Sequence, residues 1–205
     1  TPDYSPKLNK VEQKGASAAE ILSPESKIQL LLLADVEPEL DGIAGKASLS
    51  VLAEMKVIAL SPFANKAMLE YADIILPTTT HYETDGSFIN LTGLTQHFRA
   101  VIPPYFNSKP LWKILRVLGN TVNFEGFDYQ SIDEVYNEFH AIAIGKLDID
   151  IYKILQQGLP ALNGSLNIMP IISMYQTDGL LRRAQPLAET SDAKRYAYVR
   201  ISTDV

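Results

Sequence analysis

The stretch KIQLLLLAD, residues 27–35, decides the fold of this 205-residue chain. A short apolar run between polar residues is typical of a strand that is buried on both faces of a parallel sheet. A buried helix is the alternative, but the run is too short for one. Burying each leucine stabilises the fold by roughly 1.5–3 kcal/mol, so we expect this strand to anchor the core.

Two further apolar runs follow, at residues 56–60 (KVIAL) and 73–76 (DIIL). Residues 44–55 and 65–72 lie between the runs and have helical spacing, with Asn65 as a candidate N-cap. The alternation predicts βαβ units whose strands are parallel neighbours. A shorter helix is predicted at residues 16–22, before Pro24.

The pattern changes after Pro77. Residues 87–101 predict a β-hairpin that turns near Thr92 and Gly93, because glycine adopts positive φ without steric cost. Helices are predicted at residues 109–118, 131–143 and 148–157, the second with a capping box formed by Ser131 and Glu134. Residues 159–205 read as irregular, except for a strand-like alternation at 196–202.

The predicted fold class is therefore α/β. It has a partial doubly wound parallel sheet with helices on both faces, a β-hairpin insertion and a helical or irregular C-terminal extension. We expect one α/β domain over residues 1–150 and the extension over residues 151–205.

Composition excludes several functional classes. The net charge is −6 without a basic block, which argues against nucleic-acid binding. The longest apolar run is too short to span a bilayer and no leader is apparent, so we expect a cytoplasmic segment. Because there is no cysteine, disulfides, thiolate catalysis and a four-thiolate iron–sulfur site are excluded within these residues. Thr1 in place of Met suggests part of a longer protein.

No catalytic or metal site is predicted. His81, His97 and His140 lack the spacing of a helical metal pair, and the glycine-rich phosphate-binding motifs are absent. Loops after the strands could bind a ligand, at residues 34–38, 61–63 and 78–80, although their acids would repel phosphate. Glu37 and Glu83 could act as acid or base, but we expect such loop carboxylates to be solvated.

One ordered set of residues resembles a known pattern. Residues 71–77 (YADIILP) precede Glu83, Asp85, Gly86, Phe88, Asn90, Gly93 and Gln96. The set is similar to the A-D-[VI]-[VI]-L-P … E-x-x-G-[ST]-[FY]-x-N-x-x-G-x-x-Q segment of the molybdopterin oxidoreductase superfamily.

Neighbouring segments narrow the resemblance. Residues 31–41 (LLLADVEPELD), 57–63 (VIALSPF), 110–120 (PLWKILRVLGN), 126–129 (GFDY) and 175–178 (YQTD) resemble one member family. That family is the large iron–sulfur subunit of bacterial NADH:quinone oxidoreductase, respiratory complex I.

The resemblance implies a role without a cofactor. The N-terminal part of such a subunit, outside this chain, holds the iron–sulfur clusters, and its C-terminal part is a relict of a molybdopterin-binding domain. Glu83, Gly86, Asn90, Gly93 and Gln96 would then be relict positions, and the partners would be other subunits of the peripheral arm at the cytoplasmic face of the inner membrane. The alternatives are the tail of a working formate dehydrogenase-like molybdopterin enzyme and an unrelated free α/β domain.

The predicted hairpin supports the loss of the cofactor. Cofactor-binding relatives read N-x-E-G-R-x-Q there, as the resemblance implies, whereas Thr92 and Leu94 stand in place of the Glu and the Arg. Leucine cannot offer the planar fork with which arginine binds a phosphate. We therefore expect no molybdopterin, with Leu94 packed into protein and the cleft above the strands closed.

Overall fold

The computed structural model describes residues 15–42, 44–90, 94–143 and 173–197. The chain divides into two compact units, residues 1–148 and 149–205, and each is described by itself. Over the described ranges, no helix has the length and apolar character that crossing a membrane requires.

The first unit is built on a three-stranded parallel sheet. Strands β1 (Leu30–Ala34), β2 (Lys56–Ser61) and β3 (Ile74–Pro77) lie in the order β1-β2-β3, with β2 in the centre. Leu32 pairs with Ile58, and Leu60 pairs with Leu76. The predicted parallel strands, their neighbours and the α/β class are thus confirmed.

Short helices precede β1 and connect the strands. They are α1 (Ala18–Ile21), α2 (Pro38–Asp41), a 3-10 turn (Gly45–Ala47) that continues into α3 (Ser48–Leu52), and α4 (Lys66–Tyr71). Ser17 and Glu20 form a capping box on α1. The side chain of Asn65 accepts a hydrogen bond from the Met68 backbone N–H, which confirms it as the N-cap of α4.

The core lies on one face of the sheet. Leu52 from α3, Met68 from α4 and Val57 and Ala59 from β2 are fully buried there, and Leu33 of β1 joins them. The side chains of consecutive strand residues point to opposite faces, so Leu30 and Leu32 lie on the other one. On that face Leu60 of the central strand is fully buried.

The expectation that residues 28–33 are buried on both faces is wrong. Strand β1 begins at Leu30 and ends the sheet in the described part of the chain, and the side chains of Leu30 and Leu32 are 61% and 43% exposed. An apolar run reports that a segment is apolar, but it does not report whether a second layer covers it. The central strand β2 anchors the core instead.

The hairpin and two longer helices complete the first unit. Strands β4 (Gly86–Ile89) and β5 (Thr95–Phe98) pair antiparallel, which confirms the predicted hairpin; its turn at residues 91–93 lies outside the described residues. Helices α5 (Leu111–Thr121) and α6 (Ile132–Ala143) match the predicted positions within a few residues. The Ser131 side chain caps α6 as expected, while the Glu134 carboxylate accepts from the Gln130 backbone.

The second unit is described for residues 173–197 only. It consists there of 3-10 turns and short helices: Met174–Gln176, Leu181–Arg183, α7 (Gln185–Ala188), α8 (Ser191–Lys194) and Arg195–Ala197. Tyr196 lies in the last 3-10 turn, so the predicted strand does not begin there; the rest of that strand and the predicted helix at 148–157 lie outside the described residues.

A tight contact between α5 and the loop that follows it explains why residue 119 is glycine. Gly119 is buried, and a Cβ added to it would overlap the ring of Phe127. Arg116 donates to the carbonyl of Tyr129 and Asn120 to that of Phe127, so these hydrogen bonds oppose movement of the loop away from α5. The glycine is required by this close approach.

We expect Gly119→Ala to lower the free energy of unfolding by about 1–3 kcal/mol, because overpacking outweighs the better helix propensity of alanine. Urea denaturation measures the change. Combining it with Phe127→Leu should recover part of the loss, since the two sites are in contact. Gly15→Ala, which meets no atom within 4 Å, is the control. A Gly119 variant as stable as the wild type would refute the close approach.

Candidate functional site

The loops that follow the parallel strands meet at the carboxyl edge of the sheet. Asp35 directly follows β1 and lies in the left-handed region, with φ of 52°, and its backbone N–H donates to the carbonyl of Leu60. The hydroxyl of Thr78, after β3, donates to the Asp35 carboxylate at 2.7 Å. A left-handed backbone is uncommon in residues other than glycine, although aspartate tolerates it, and such positions are concentrated at functional sites. Ligands of open α/β sheets bind at this edge.

A cavity of about 400 Å³ lies beside this edge. Its walls come from the ends of β1 and β3, the hairpin, the start of α5 and one side of α6. The aromatic side chains of Phe98, Trp112, Tyr136 and Phe139 form much of the lining. The rings of His97 and Tyr136 meet edge to face, 4.4 Å between centroids, and so join the hairpin to α6.

The charged groups of the cavity are mainly acidic. Asp35, Asp85 and Asp133 contribute carboxylates, and Arg99 contributes a guanidinium. That guanidinium is shared between Asp85 at 3.3 Å and Asp133 at 3.7 Å. The backbone N–H of Ala100, aided by Arg99, holds the pKa of Asp85 below its ordinary value, so this carboxylate stays ionised at neutral pH. The cavity therefore disfavours an anionic ligand.

Glu83 has a structural role, and the expectation that it is solvated is wrong. Only 8% of the residue is exposed. One carboxylate oxygen accepts from the backbone N–H and the hydroxyl of Thr80, and the other accepts from the backbone N–H of Tyr105. A buried carboxylate is tolerated where such donors surround it. Glu83 thus ties the loop after β3 to the segment after the hairpin.

Three of the other relict positions are described in the hairpin. Gly86 opens β4, where an added Cβ would lie 2.6 Å from the ring of Phe98. The Asn90 side chain accepts from the Leu94 backbone N–H at 2.9 Å and helps to close the hairpin end. Gln96 is exposed in β5, opposite Phe88. Gly93 lies outside the described residues, so its positive φ stays a prediction.

The expected burial of Leu94 is wrong. Its side chain is 59% exposed, because the residue stands at the end of the hairpin, where its backbone bonds to Asn90. The expected closed cleft is also wrong, since the cavity is open, although Leu94 is not among the residues that line it. Leu94 therefore has no part in lining the cavity.

A second group of carboxylates was not anticipated from the sequence. Glu37 is 4% exposed and Glu39 is 8% exposed, which contradicts the expectation that Glu37 is solvated. The side-chain amide of Asn65 donates to both, at 2.6 and 2.7 Å, and the Tyr71 hydroxyl lies 3.5 Å from Glu39. Burial raises the pKa of Tyr71 well above its ordinary value, and the Glu39 and Glu37 charges add to this. Tyr71 is therefore neutral and serves as a donor.

Only one of the two roles of Asn65, the helix cap, could have been recognised from the sequence. Its position before a helix predicts a cap, but the partners of its amide come from α2 and the residue before it, which are far away in the sequence. Two histidines make ring contacts with tyrosines: the ring of His81 lies 4.2 Å from that of Tyr82, and His97 contacts Tyr136. The side chain of His140 lies outside the described residues.

We expect Glu83→Gln to lower the free energy of unfolding by about 1–3 kcal/mol at pH 7, because hydrogen bonds to a carboxylate are stronger than those to an amide. The bonds from the Thr80 and Tyr105 backbones hold the pKa of Glu83 below its ordinary value of 4.5. A lowered folded-state pKa stabilises the protein above the unfolded-state value, and this contribution is lost as the pH falls through the folded-state pKa.

The difference between wild type and Glu83→Gln should therefore shrink in acid. Urea denaturation at pH 7 and at successively lower pH below 4.5 measures it. Glu70→Gln, at an exposed carboxylate of α4, is the matched control and should be neutral. A difference that is constant across this range would contradict the role of the ionised carboxylate.

Comparison with known proteins agrees with the motif positions. The family model for molybdopterin oxidoreductase matches residues 7–121, more than half of the chain. The NADH-ubiquinone oxidoreductase 75 kDa subunit of Reclinomonas americana is 25% identical over 127 residues, covering 58% of this chain and 18% of that protein. A Staphylococcus aureus (strain MRSA252) protein named as a formate dehydrogenase is 34% identical over 68 residues, covering 33% of this chain and 7% of that protein.

The chain spans less than a fifth of the length of these curated relatives. The family match begins before β1 and ends with α5, so it includes the parallel sheet, the carboxyl edge and the hairpin. On this match, the chain belongs to the molybdopterin oxidoreductase family.

Proposed function

We propose that the chain is a structural and interaction part of the large iron–sulfur subunit of a bacterial NADH:quinone oxidoreductase, and that it carries no redox centre. The observation that carries this is the alignment with the 75 kDa subunit, which extends over 58% of the chain and thus further than the formate dehydrogenase alignment. In this role the chain lies in the peripheral arm, at the cytoplasmic side of the inner membrane, and contacts other subunits.

The composition supports the part of the proposal that concerns iron–sulfur clusters. Iron–sulfur clusters are held mostly by cysteine thiolates, and the 205 residues contain none. Clusters of the assembly would then be bound outside this chain. We infer in the same way that the chain alone does not oxidise NADH, because it also lacks a glycine-rich turn for a dinucleotide.

Molybdopterin, which the family implies, fits the cavity poorly. This cofactor carries a phosphate, whereas the cavity presents Asp35, Asp85 and Asp133. The guanidinium of Arg99 is already paired with two of these carboxylates, those of Asp85 and Asp133. Binding a phosphate there would bring like charges together and break an ion pair, so we propose that the domain keeps the fold without the cofactor.

The alternative is part of a molybdopterin enzyme of the formate dehydrogenase type. The higher identity of 34%, over 68 residues, favours it. Molybdenum analysis of the native, full-length protein separates the two proposals. Stoichiometric molybdenum with a pterin would establish the alternative, and its absence together with co-purification with NADH:quinone oxidoreductase activity would support the first.

We expect the isolated chain, purified after reconstitution with iron and sulfide, to show no iron–sulfur absorbance and no NADH oxidation. Metal analysis and a spectrophotometric assay measure both. The native, full-length protein is the positive control. Stoichiometric iron in the isolated chain, or turnover above a blank, would contradict the assignment.

A further inference from the structure

The charges of the cavity beside the sheet are not balanced. The guanidinium of Arg99 is shared between Asp85 and Asp133. Lys113 adds a second positive charge that is close enough to lower the pKa of Asp85, after larger effects of hydrogen bonds and of Arg99. Two cations therefore serve two of the three lining aspartates, and the third, Asp35, is left over.

Asp35 lies at the carboxyl edge of the sheet without a cation beside it. No ion pair within the described ranges includes its carboxylate, which accepts a hydrogen bond from the hydroxyl of Thr78. Burial raises the pKa of this carboxyl, and the bond from Thr78 offsets only part of that effect. A carboxylate that is partly removed from water attracts a cation more strongly than a solvated one does, because the attraction is less screened.

The walls of the cavity offer a surface for an apolar group. The aromatic lining consists of Phe98, Trp112, Tyr136 and Phe139. The volume of about 400 Å³ lies in the range of small-molecule sites, roughly 300–1,000 Å³. Aromatic faces attract cations as well as apolar groups, and the Lys113 ammonium already lies 5.4 Å from the ring centroid of Trp112. The lining therefore suits a molecule that joins a cation to an apolar body.

A buried hydroxyl in the same lining lacks a partner. Thr79 is 5% exposed, and its Oγ1 makes no hydrogen bond to any described residue. The backbone at this position is fixed, since the N–H of Thr79 donates to the carbonyl of Lys109. Buried polar atoms are normally paired, so an unpaired one beside a cavity marks a place for a further donor. An ammonium group has three donors, enough for this hydroxyl and for the carboxylate of Asp35.

Other classes of ligand agree less well with this lining. An anion would meet three carboxylates. For a metal ion, the described residues contain no group of three His, Asp or Glu side chains that could hold it. A neutral apolar molecule would cover Asp35 without supplying a counter-charge, which is costly for an ionised group.

We propose that the cavity binds a small organic cation, a primary amine on an aromatic or apolar body. The ammonium group pairs with Asp35 and donates to Thr79, and the body packs against the aromatic wall that includes Trp112. This binding activity goes beyond the structural role proposed above. It does not depend on which of the two assignments of the parent protein is correct.

Tryptophan fluorescence tests this inference, because Trp112 is the only tryptophan of the chain and lines the cavity. Three molecules with the same phenylethyl body are titrated into the full chain: phenethylamine, 2-phenylethanol and 3-phenylpropionate. The measurement is made at about pH 8, where imidazole groups are generally neutral and the amine is protonated.

We expect phenethylamine to change the fluorescence saturably, with a Kd of about 1 mM or below, within reach of a molecule of this size. The alcohol and the carboxylate should bind at least about tenfold more weakly, because only the ammonium pairs with Asp35. A linear change without saturation would overturn the inference. Binding of 3-phenylpropionate as tight as that of the amine would overturn it as well.

Two variants locate the site. Asp35→Asn keeps the shape of the side chain and tolerates the φ of 52°, so the fold should be retained. It should weaken phenethylamine binding about fivefold, the upper end for a partly exposed ion pair, and leave binding of the alcohol unchanged. Asp128→Asn, at an exposed aspartate outside the lining, is the matched control. Equal amine affinity of these two variants would overturn the inference.

Thr79→Val removes the unpaired hydroxyl and keeps the branched shape. It should weaken phenethylamine binding about twofold or more, yet it should not lower the Tm, because the hydroxyl has no hydrogen bond among the described residues to lose. Thermal melting and the same titration measure both effects. A lower Tm with unchanged amine affinity would show that the hydroxyl serves the fold and not the ligand, and would contradict its place in the site.

Discussion

Leu60→Asp is expected to unfold the first unit at neutral pH, whereas Leu32→Asp on the same sheet face is expected to leave it folded. Leu60 lies in the central strand and is fully buried, while Leu32 lies in the end strand β1 and is 43% exposed. A carboxylate at position 60 would be buried without a partner, at a cost of at least about 4 kcal/mol, a large part of the roughly 5–15 kcal/mol that stabilises a domain.

Circular dichroism and thermal melting of both variants measure the difference. The pair is matched, because the residue, the substitution and the sheet face are the same. We expect Leu32→Asp to cost only about 1 kcal/mol, the loss of a partly buried apolar side chain. If Leu32→Asp unfolded the chain as completely as Leu60→Asp, β1 would be covered on that face and the described architecture would be wrong.

Asn65→Asp is expected to destabilise the first unit by about 3–5 kcal/mol, although aspartate caps helices as well as asparagine does. The Asn65 amide nitrogen lies 2.6 Å from Glu37 and 2.7 Å from Glu39. Replacing that donor with a carboxylate would place a third negative charge against two buried ones and would leave both without this hydrogen bond.

Asn65→Ser separates the two roles of this residue. Serine can cap α4 but adds no charge, so it should cost about 1–3 kcal/mol, the loss of the two bonds to the glutamates. The gap between the Asp and Ser variants should narrow in acid, because protonation of the carboxyl groups removes the repulsion. Equal stability of the two variants by urea denaturation at pH 7 would show that the amide does not bridge the glutamates.

The sequence predicted those parts of the fold that depend on local pattern. The apolar runs predicted the three strands, and the helical spacing between them predicted their parallel order, because a crossover returns the chain in the same direction. Asn65 and Ser131 were predicted as caps from their positions before helices. The apolar runs could not predict how far each strand is buried, because the burial of β1 depends on elements that are distant in the sequence.

The site was predicted less well, for a related reason. Glu37 and Glu83 stand in loops, where most carboxylates are solvated, and only the folded chain shows that Asn65, Thr80 and the Tyr105 backbone supply donors to them. Whether the side chain of Leu94 is buried depends on which other residues reach the end of the hairpin. Motif positions revealed the family, because they fix an ordered set of residue types, but they did not reveal which side chains are exposed.

The exposed Leu30 and Leu32 of β1 affect how the newly made chain behaves in the cell. In the described part of the chain β1 ends the sheet, and a strand edge beside exposed leucines is a template for non-native pairing. We therefore expect the isolated, newly made chain to self-associate or to be degraded as its concentration rises. Synthesis of the chain in excess would then produce inclusion bodies or rapid turnover, so the exposed leucines would act as a quality-control signal.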